Sequence, residues 1–343
     1  MKYNKLGKTS LLVSEIAMGT MTFGQQNTLA EACEQLDYAI AQGVNFIDTA
    51  EMYPVPGKAE TQGRTEEYVG VWLKQQSRDK IILATKVAGP SRGFGWIRNG
   101  PLSLDRANIL SAIDTSLKRL QTDYVDLYQI HWPARNVPMF GRQIYKPELE
   151  HEATTIEEQL TGLSELVKGG KVRYIGLSNE TPWGVAEFLK VSERMGLQRI
   201  VSIQNSYSLI NRTFEEGLHE MCHREQVSLL AYSPLGFGHL TGKYLKNPEA
   251  NGRITLFPEF GQRYEKPNVS AAVEAYLKLA EQNGLSSAQM AIAFVRSRPF
   301  VTSTIIGATT MAQLQENLKR IELDTELQKS IETIHLRYTN PAP

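Results

Sequence analysis

Cysteine is almost missing from this chain: Cys33 and Cys222 are the only two in 343 residues. Two thiols cannot build a disulfide framework, and both fall in helix-like segments. They read as buried or half-buried thiols in a reducing compartment. A surplus of charge is missing too, since 37 basic residues meet 37 acidic ones. That balance argues against a broad electrostatic footprint for nucleic acid or an anionic membrane and permits only a local basic pocket. No run of about 18 apolar residues occurs anywhere, and Met1-Lys2-Tyr3-Asn4-Lys5 leads into no signal-like apolar stretch. The expected location is the cytoplasm. No linker composition, low-complexity tract or short-period repeat interrupts the chain, so residues 1–343 are expected to form one domain. Two glycine signatures are absent as well. No Gly-x-Gly-x-x-Gly opens a helix, which leaves a doubly wound dinucleotide fold without support. The spacing before Gly242-Lys243 fails as a P-loop, because Phe237 stands where the first glycine belongs.

What is present is an alternation of short apolar runs with longer amphipathic ones. The strand-like runs are Ile16–Gly19, Val44–Asp48, Ile81–Lys86, Val125–His131, Val172–Ser178, Ile200–Gln204, Val227–Tyr232 and Val301–Gly307. Helical patterns follow near Leu29–Gln42, Glu66–Lys74, Arg106–Leu120, Thr155–Lys168, Thr181–Ser192, Phe214–Glu225, Ala288–Arg296 and Met311–Arg320. Right-handed crossovers between parallel strands allow a closed barrel or a doubly wound sheet. Eight repeats favour the (β/α)8 barrel, about 250 residues before insertions. Residues 2–13 predict a β-hairpin around Gly7-Lys8-Thr9, and residues 322–343 a further helix with a short Pro-containing tail. The long loops 87–104, 132–153 and 236–268 all follow strands. In a barrel such loops gather on the face that carries active sites.

Reactive side chains stand at the ends of consecutive strands. Asp48 closes the second strand, with Tyr53 five residues on; Lys86 closes the third; His131 closes the fourth. Each alone has an ordinary structural explanation: a cap, a loop aromatic, a strand reaching water, a satisfied histidine. Together their chemistry fits. A phenol is a poor acid near neutrality, with a pKa of about 10, and a nearby ammonium is expected to lower that value. A partly buried lysine needs a carboxylate, which is the role of Asp48. A histidine can orient a carbonyl oxygen by hydrogen bonding. Met21, Met52, Trp132 and Trp96 suggest an apolar pocket.

The set Asp48, Tyr53, Lys86 and His131, in this order, resembles the catalytic tetrad of the aldo-keto reductases. Gly19-Thr20-Met21, Ser116–Leu120, Ile175–Asn179, Ser233-Pro234-Leu235, Leu240–Tyr244 and Ile306–Thr310 extend the resemblance over nearly the whole chain. The resemblance implies NADPH-dependent reduction of a small-molecule aldehyde or ketone, without a metal, by a monomer. Tyr53 would be the general acid, Lys86 its partner, and Asp48 the partner of Lys86. His131 would orient the carbonyl. Gly19, Thr20, Met21 and Asp48 would border the cofactor; Ser178, Asn179 and Gln204 would bond the nicotinamide carboxamide, and Tyr232 would stack on its ring. Ser233, Pro234, Leu235, Gly238, Leu240 and Gly242 would surround the pyrophosphate, with Lys243 and Arg253 on the phosphates. Gly307, Thr309, Gln313, Glu316 and Asn317 would hold the adenosine end. Two segments depart from the family pattern: 54–66, with Lys58, Glu60 and Arg64, and the long loop 133–153. Both bear on substrate range rather than on chemistry.

Glycines 236, 238 and 242 followed by Lys243 also suit an approaching anion on physical grounds alone. Residues His219-Glu220-Met221-Cys222-His223 spell a zinc-protease pattern, yet they lie on an outer helix with no third ligand in view, so zinc is not expected. Two other functions compete: a cofactor-binding regulatory subunit of an ion channel, and a Schiff-base enzyme using Lys86 as nucleophile.

Overall fold

A strand covered on both faces reads as a short, largely apolar run, and the short runs of this chain are of that kind with a few polar positions among them. The computed structural model describes residues 1–90 and 92–342. Its strands are β1 (Tyr3–Lys5), β2 (Leu12–Ser14), β3 (Ile16–Gly19), β4 (Phe46–Asp48), β5 (Ile82–Val87), β6 (Val125–Ile130), β7 (Val172–Ser178), β8 (Ile200–Ser206), β9 (Ser228–Tyr232) and β10 (Val301–Ile306). Strands β3 to β10 close into an eight-stranded parallel barrel in chain order, with β10 returning to β3. The antiparallel hairpin β1–β2 stands apart, with Asn4 opposite Val13.

The helices are α1 (Leu29–Ala41), α2 (Arg64–Leu73), α3 (Arg106–Leu120), α4 (Ile156–Lys168), α5 (Pro182–Met195), α6 (Leu218–Glu225), α7 (Lys243–Lys246), α8 (Arg253–Leu256), α9 (Val269–Gln282), α10 (Ser287–Ser297), α11 (Met311–Leu318) and α12 (Thr325–Arg337). Local capping sets many starts. Thr28 and Glu31 form a reciprocal capping box on α1, and Asp105, Thr155, Thr181, Thr310 and Asp324 each accept a backbone N–H of the helix they precede. The (β/α)8 barrel expected from the sequence is thus the observed fold. One helix, α9, lay outside the sequence reading, although Val269, Ala272, Val273, Tyr276 and Ala280 form a buried helical stripe. It packs beside α10 and α12 as an addition to the regular series. Helix α6 starts later than its apolar pattern, because Gly217 at φ 96° separates it from the 3-10 turn Thr213–Glu215.

The barrel interior is layered. Ala17, Phe46, Ala84, Leu127, Val201, Leu230 and Ile305 fill it, and Leu6 and Val13 of the hairpin plug the end below. Gly7 is needed at that plug: φ is 53°, and a Cβ there would lie 2.5 Å from the carbonyl oxygen of Val201. Two residues up each strand from this apolar layer, toward the C-terminal ends, stand Asp48, Lys86, Gln129 and Tyr232.

Candidate active site

The period-two alternation that buries Phe46, Ala84 and Leu127 also points Asp48, Lys86 and Gln129 into the barrel, one layer higher. Lys86 is fully buried, and its Nζ donates to Asp48 Oδ2 at 2.7 Å and to the carbonyl of Thr49 at 2.8 Å. The other oxygen of Asp48 accepts from Gln204 Nε2 at 2.8 Å and from Gln129 Nε2 at 3.4 Å. Lys86 and Asp48 therefore pair within the barrel interior, and two amides satisfy further lone pairs of the carboxylate. Gln129 is a member of this network that the sequence reading missed. Its signal was a polar residue at an inward position of a wholly buried strand.

Tyr53 and His131 stand on the loops just above. Their rings meet edge to face with centroids 5.6 Å apart, and Lys86 Nζ lies 5.1 Å from the tyrosine ring centre. Burial, and after it the charge of Asp48, pushes the Tyr53 phenol well above its ordinary value of 10.0. This corrects the expectation that Lys86 would pull it down. The ammonium is neutralised by Asp48 at contact distance, so desolvation of the phenolate dominates. Burial, and then the positive charges of Lys86 and Arg92, hold His131 well below 6.5, and the ring is neutral. Its Nδ1 is buried without a partner among the described residues.

Asp48, Tyr53, His131 and Gln204 open onto one cleft of about 630 Å³, with Lys86 and Gln129 buried beneath it. Its wall includes Gly19, Thr20, Met21, Asp48, Ser178, Asn179, Gln204, Tyr232, Ser233, Pro234, Leu235, Gly238, Lys243, Arg253, Gly307, Thr309, Gln313, Glu316 and Asn317. Leu240 and Gly242 are not brought to the wall. Leu240 is 1% exposed within the core, and Gly242 turns against Leu277. The hydroxyl of Tyr232 donates to Asn179 Oδ1 at 2.6 Å, and Asn179 Nδ2 donates to the carbonyl of His131 at 2.8 Å. Ser178 Oγ donates to the carbonyl of Gln204 at 2.8 Å. These bonds pin the Tyr232 ring, while most of the donors expected to meet a carboxamide are already engaged inside the protein. At the far end, Gln313 Oε1 accepts from the Thr309 backbone at 2.9 Å, and Asn317 Nδ2 donates to the carbonyl of Gly307 at 3.2 Å.

The rim was the least legible part. Arg92, Phe94, Phe140, Phe237 and Arg263 all line the cleft, and none was expected there. They alternate as cation and ring across three loops. Arg92 lies 5.6 Å from the Trp132 ring centre and 4.4 Å from that of Phe140. Arg263 lies 5.2 Å from Phe140 and 4.8 Å from Phe237, and Arg253 lies 4.6 Å from Phe237. Met21, Met52 and Trp132 do line the cleft, whereas Trp96 stays outside it, 38% exposed, and packs on Phe94. Of the segment 54–66, Val55, Pro56 and Gly57 reach the wall; of 133–153, Phe140 does. On α6, His219 rests on Phe300 with ring centres 4.3 Å apart and His223 is exposed. No group of three His, Cys, Asp or Glu side chains is placed to hold a metal ion among the described residues. Among them, too, no helix is long and apolar enough to cross a membrane.

Known proteins share this layout. Residues 15–335 match the model described as "Aldo/keto reductase family". The chain is 52% identical over 347 residues to "Protein tas" of Escherichia coli (strain K12), covering 100% of both. It is 38% identical over 279 residues to an "Aldo-keto reductase" of Babesia bovis, covering 76% of this chain and 98% of that one. To the "Uncharacterized oxidoreductase YrpG" of Bacillus subtilis (strain 168) it is 32% identical over 338 residues, 97% of this chain and 96% of that protein.

Proposed function

The chain belongs to the aldo/keto reductase family of oxidoreductases, and on that premise we propose that it reduces aldehydes or ketones to alcohols with NADPH. The observation that carries this reading is that Tyr53, His131 and Asp48 line one cleft, with Lys86 buried beneath it and paired to Asp48. The ring of Tyr232 and the cations along that cleft suit the ring and the phosphates of a nicotinamide dinucleotide. Tyr232 presents a pinned ring beside the floor. Gly238 lines the cleft at φ 95°, and Lys243 and Arg253 line it nearby, neither in an ion pair with a carboxylate among the described residues. Gly19 on the same wall lets β3 pack closely on β10, since a Cβ there would sit 2.8 Å from Ile305 Cγ2.

When bound, the cofactor supplies hydride. The neutral His131 offers one hydrogen bond to the carbonyl oxygen and holds it near Tyr53. Tyr53 donates its proton to that oxygen as negative charge builds there. The resulting phenolate lies beside the Lys86 ammonium, so Lys86 stabilises the product of proton transfer rather than acidifying the resting phenol. The Schiff-base alternative loses ground, because Lys86 is sealed beneath the cleft and ion-paired.

The test is loss of NADPH absorbance with the purified protein over a broad panel of aldehydes and ketones. Turnover supports the reading; tight NADPH binding with no member reduced assigns the protein a binding role instead.

A further inference from the structure

Four cations line the cleft: Arg92, Lys243, Arg253 and Arg263. Lys243 and Arg253 stand beside the glycine-rich turn already given to the cofactor phosphates, which leaves Arg92 and Arg263 unassigned. The acids on the same wall are Asp48, Glu259 and Glu316. Asp48 is occupied by Lys86, and Glu316 accepts from Ser286. Among the described residues, no carboxylate lies within 4.0 Å of Arg92 or Arg263, and neither guanidinium donates a hydrogen bond. Glu259 sits exposed on the rim.

Arg92 also lies on the reacting side. It faces Trp132, whose ring is 4.9 Å from that of His131, and His131 feels its charge. Arg92 itself is exposed. The loop that carries it is tied down by Trp132 Nε1 donating to the carbonyl of Pro90 at 2.9 Å, and by Arg98 binding the buried Glu51. Phe140 is in ring contact with both Arg92 and Arg263, and the charge of Arg263, after desolvation, lowers the Arg92 pKa. Two guanidiniums that contact one ring at the cleft, and donate to no group among the described residues, form an arrangement that an anion completes.

We propose that the preferred substrates are carbonyl compounds bearing an anionic group, with Arg92, assisted by Arg263, binding that anion while the carbonyl sits between Tyr53 and His131. This rests on the reductase reading above. Carboxylate and phosphate share the required chemistry, a planar or tetrahedral face of acceptors for a guanidinium fork.

The experiment uses the full chain saturated with NADPH and three matched aldehydes: 4-carboxybenzaldehyde, 4-formylphenyl phosphate and the neutral 4-methylbenzaldehyde. At least one anionic member is expected to exceed the neutral one in kcat/KM by about ten- to a hundred-fold, the worth of one charge-assisted contact. Arg92→Met keeps an unbranched apolar stem and should collapse that ratio toward one; Arg263→Met should reduce it less. Equal rates for charged and neutral aldehydes, or an Arg92→Met ratio equal to wild type, overturn the inference. So does a parallel loss of NADPH affinity, which would hand Arg92 to the cofactor. Calorimetric binding of 4-(hydroxymethyl)benzoate and 4-methylbenzyl alcohol separates the two levels. Arg92-dependent binding of the benzoate without turnover of any aldehyde sinks the reductase reading and keeps the anion site. Turnover without charge preference does the reverse.

Discussion

The chemistry concentrates on a phenol whose proton is held tightly. Tyr53→Phe removes that proton and little volume, so carbonyl reduction should fall at least a hundred-fold while NADPH affinity by fluorescence titration stays within about two-fold. Wild-type turnover in that variant would remove Tyr53 from the mechanism. The pH dependence follows from the raised phenol. Reduction uses the protonated form, which is lost only as pH passes the Tyr53 pKa; with that value above 10, kcat/KM for reduction should stay level through about pH 9. Alcohol oxidation uses the phenolate, whose fraction grows tenfold per pH unit below the pKa. Its log kcat/KM should therefore climb with a slope near one and no plateau over the same range. Because His131 titrates well below 6.5, it adds no limb between about pH 7 and pH 9. A plateau in oxidation below about pH 9, with chemistry shown limiting by a deuterated cofactor, would mean that the bound complex acidifies Tyr53 after all.

At the scale of elements, the strands and most helices were legible because their signals are local. Buried parallel strands read as short apolar runs, and Asp105 and Thr181 announce the starts of α3 and α5. In the structure α3 ends as Gln121 turns left-handed at φ 56°. Helix α9 escaped because it lies outside the strand–helix alternation that organised the reading, not because its stripe is weak. How closely elements approach was not legible at all. Gly70, in the middle of α2, lets that helix ride on the end of α3: a Cβ there would lie 2.2 Å from the Arg119 carbonyl oxygen and 2.8 Å from the Leu120 carbonyl carbon. Backbone cannot swing aside as a side chain can. Gly70→Ala should therefore destabilise by about 1–3 kcal/mol despite the better helix propensity of alanine. A melting temperature equal to or above wild type would show that α2 can slide.

For the whole molecule, the barrel closes on itself from β3 to β10 and the cleft draws residues from both ends of the series. One cooperative unit is therefore proposed, and calorimetry should give a single transition. NADPH at a hundredfold over its Kd should stabilise that unit by about 2.7 kcal/mol, and the transition should rise as one. NADH at the same concentration should raise it less, and Lys243→Ala should narrow the difference. Two separable transitions, only one moving with NADPH, would divide the chain. By itself the sequence determined the order of strands and helices and the place of Asp48 and Lys86 at the C-terminal ends of their strands. Those features depend on neighbours within a few residues. Only the tertiary structure decided that Gln129 and Gln204 would meet at Asp48, that Leu240 would be core rather than wall, and that Arg92 and Arg263 would share one phenylalanine ring. It also reversed the expected shift of Tyr53, because desolvation is set by everything packed around a group, and that packing exists only once distant loops have come together.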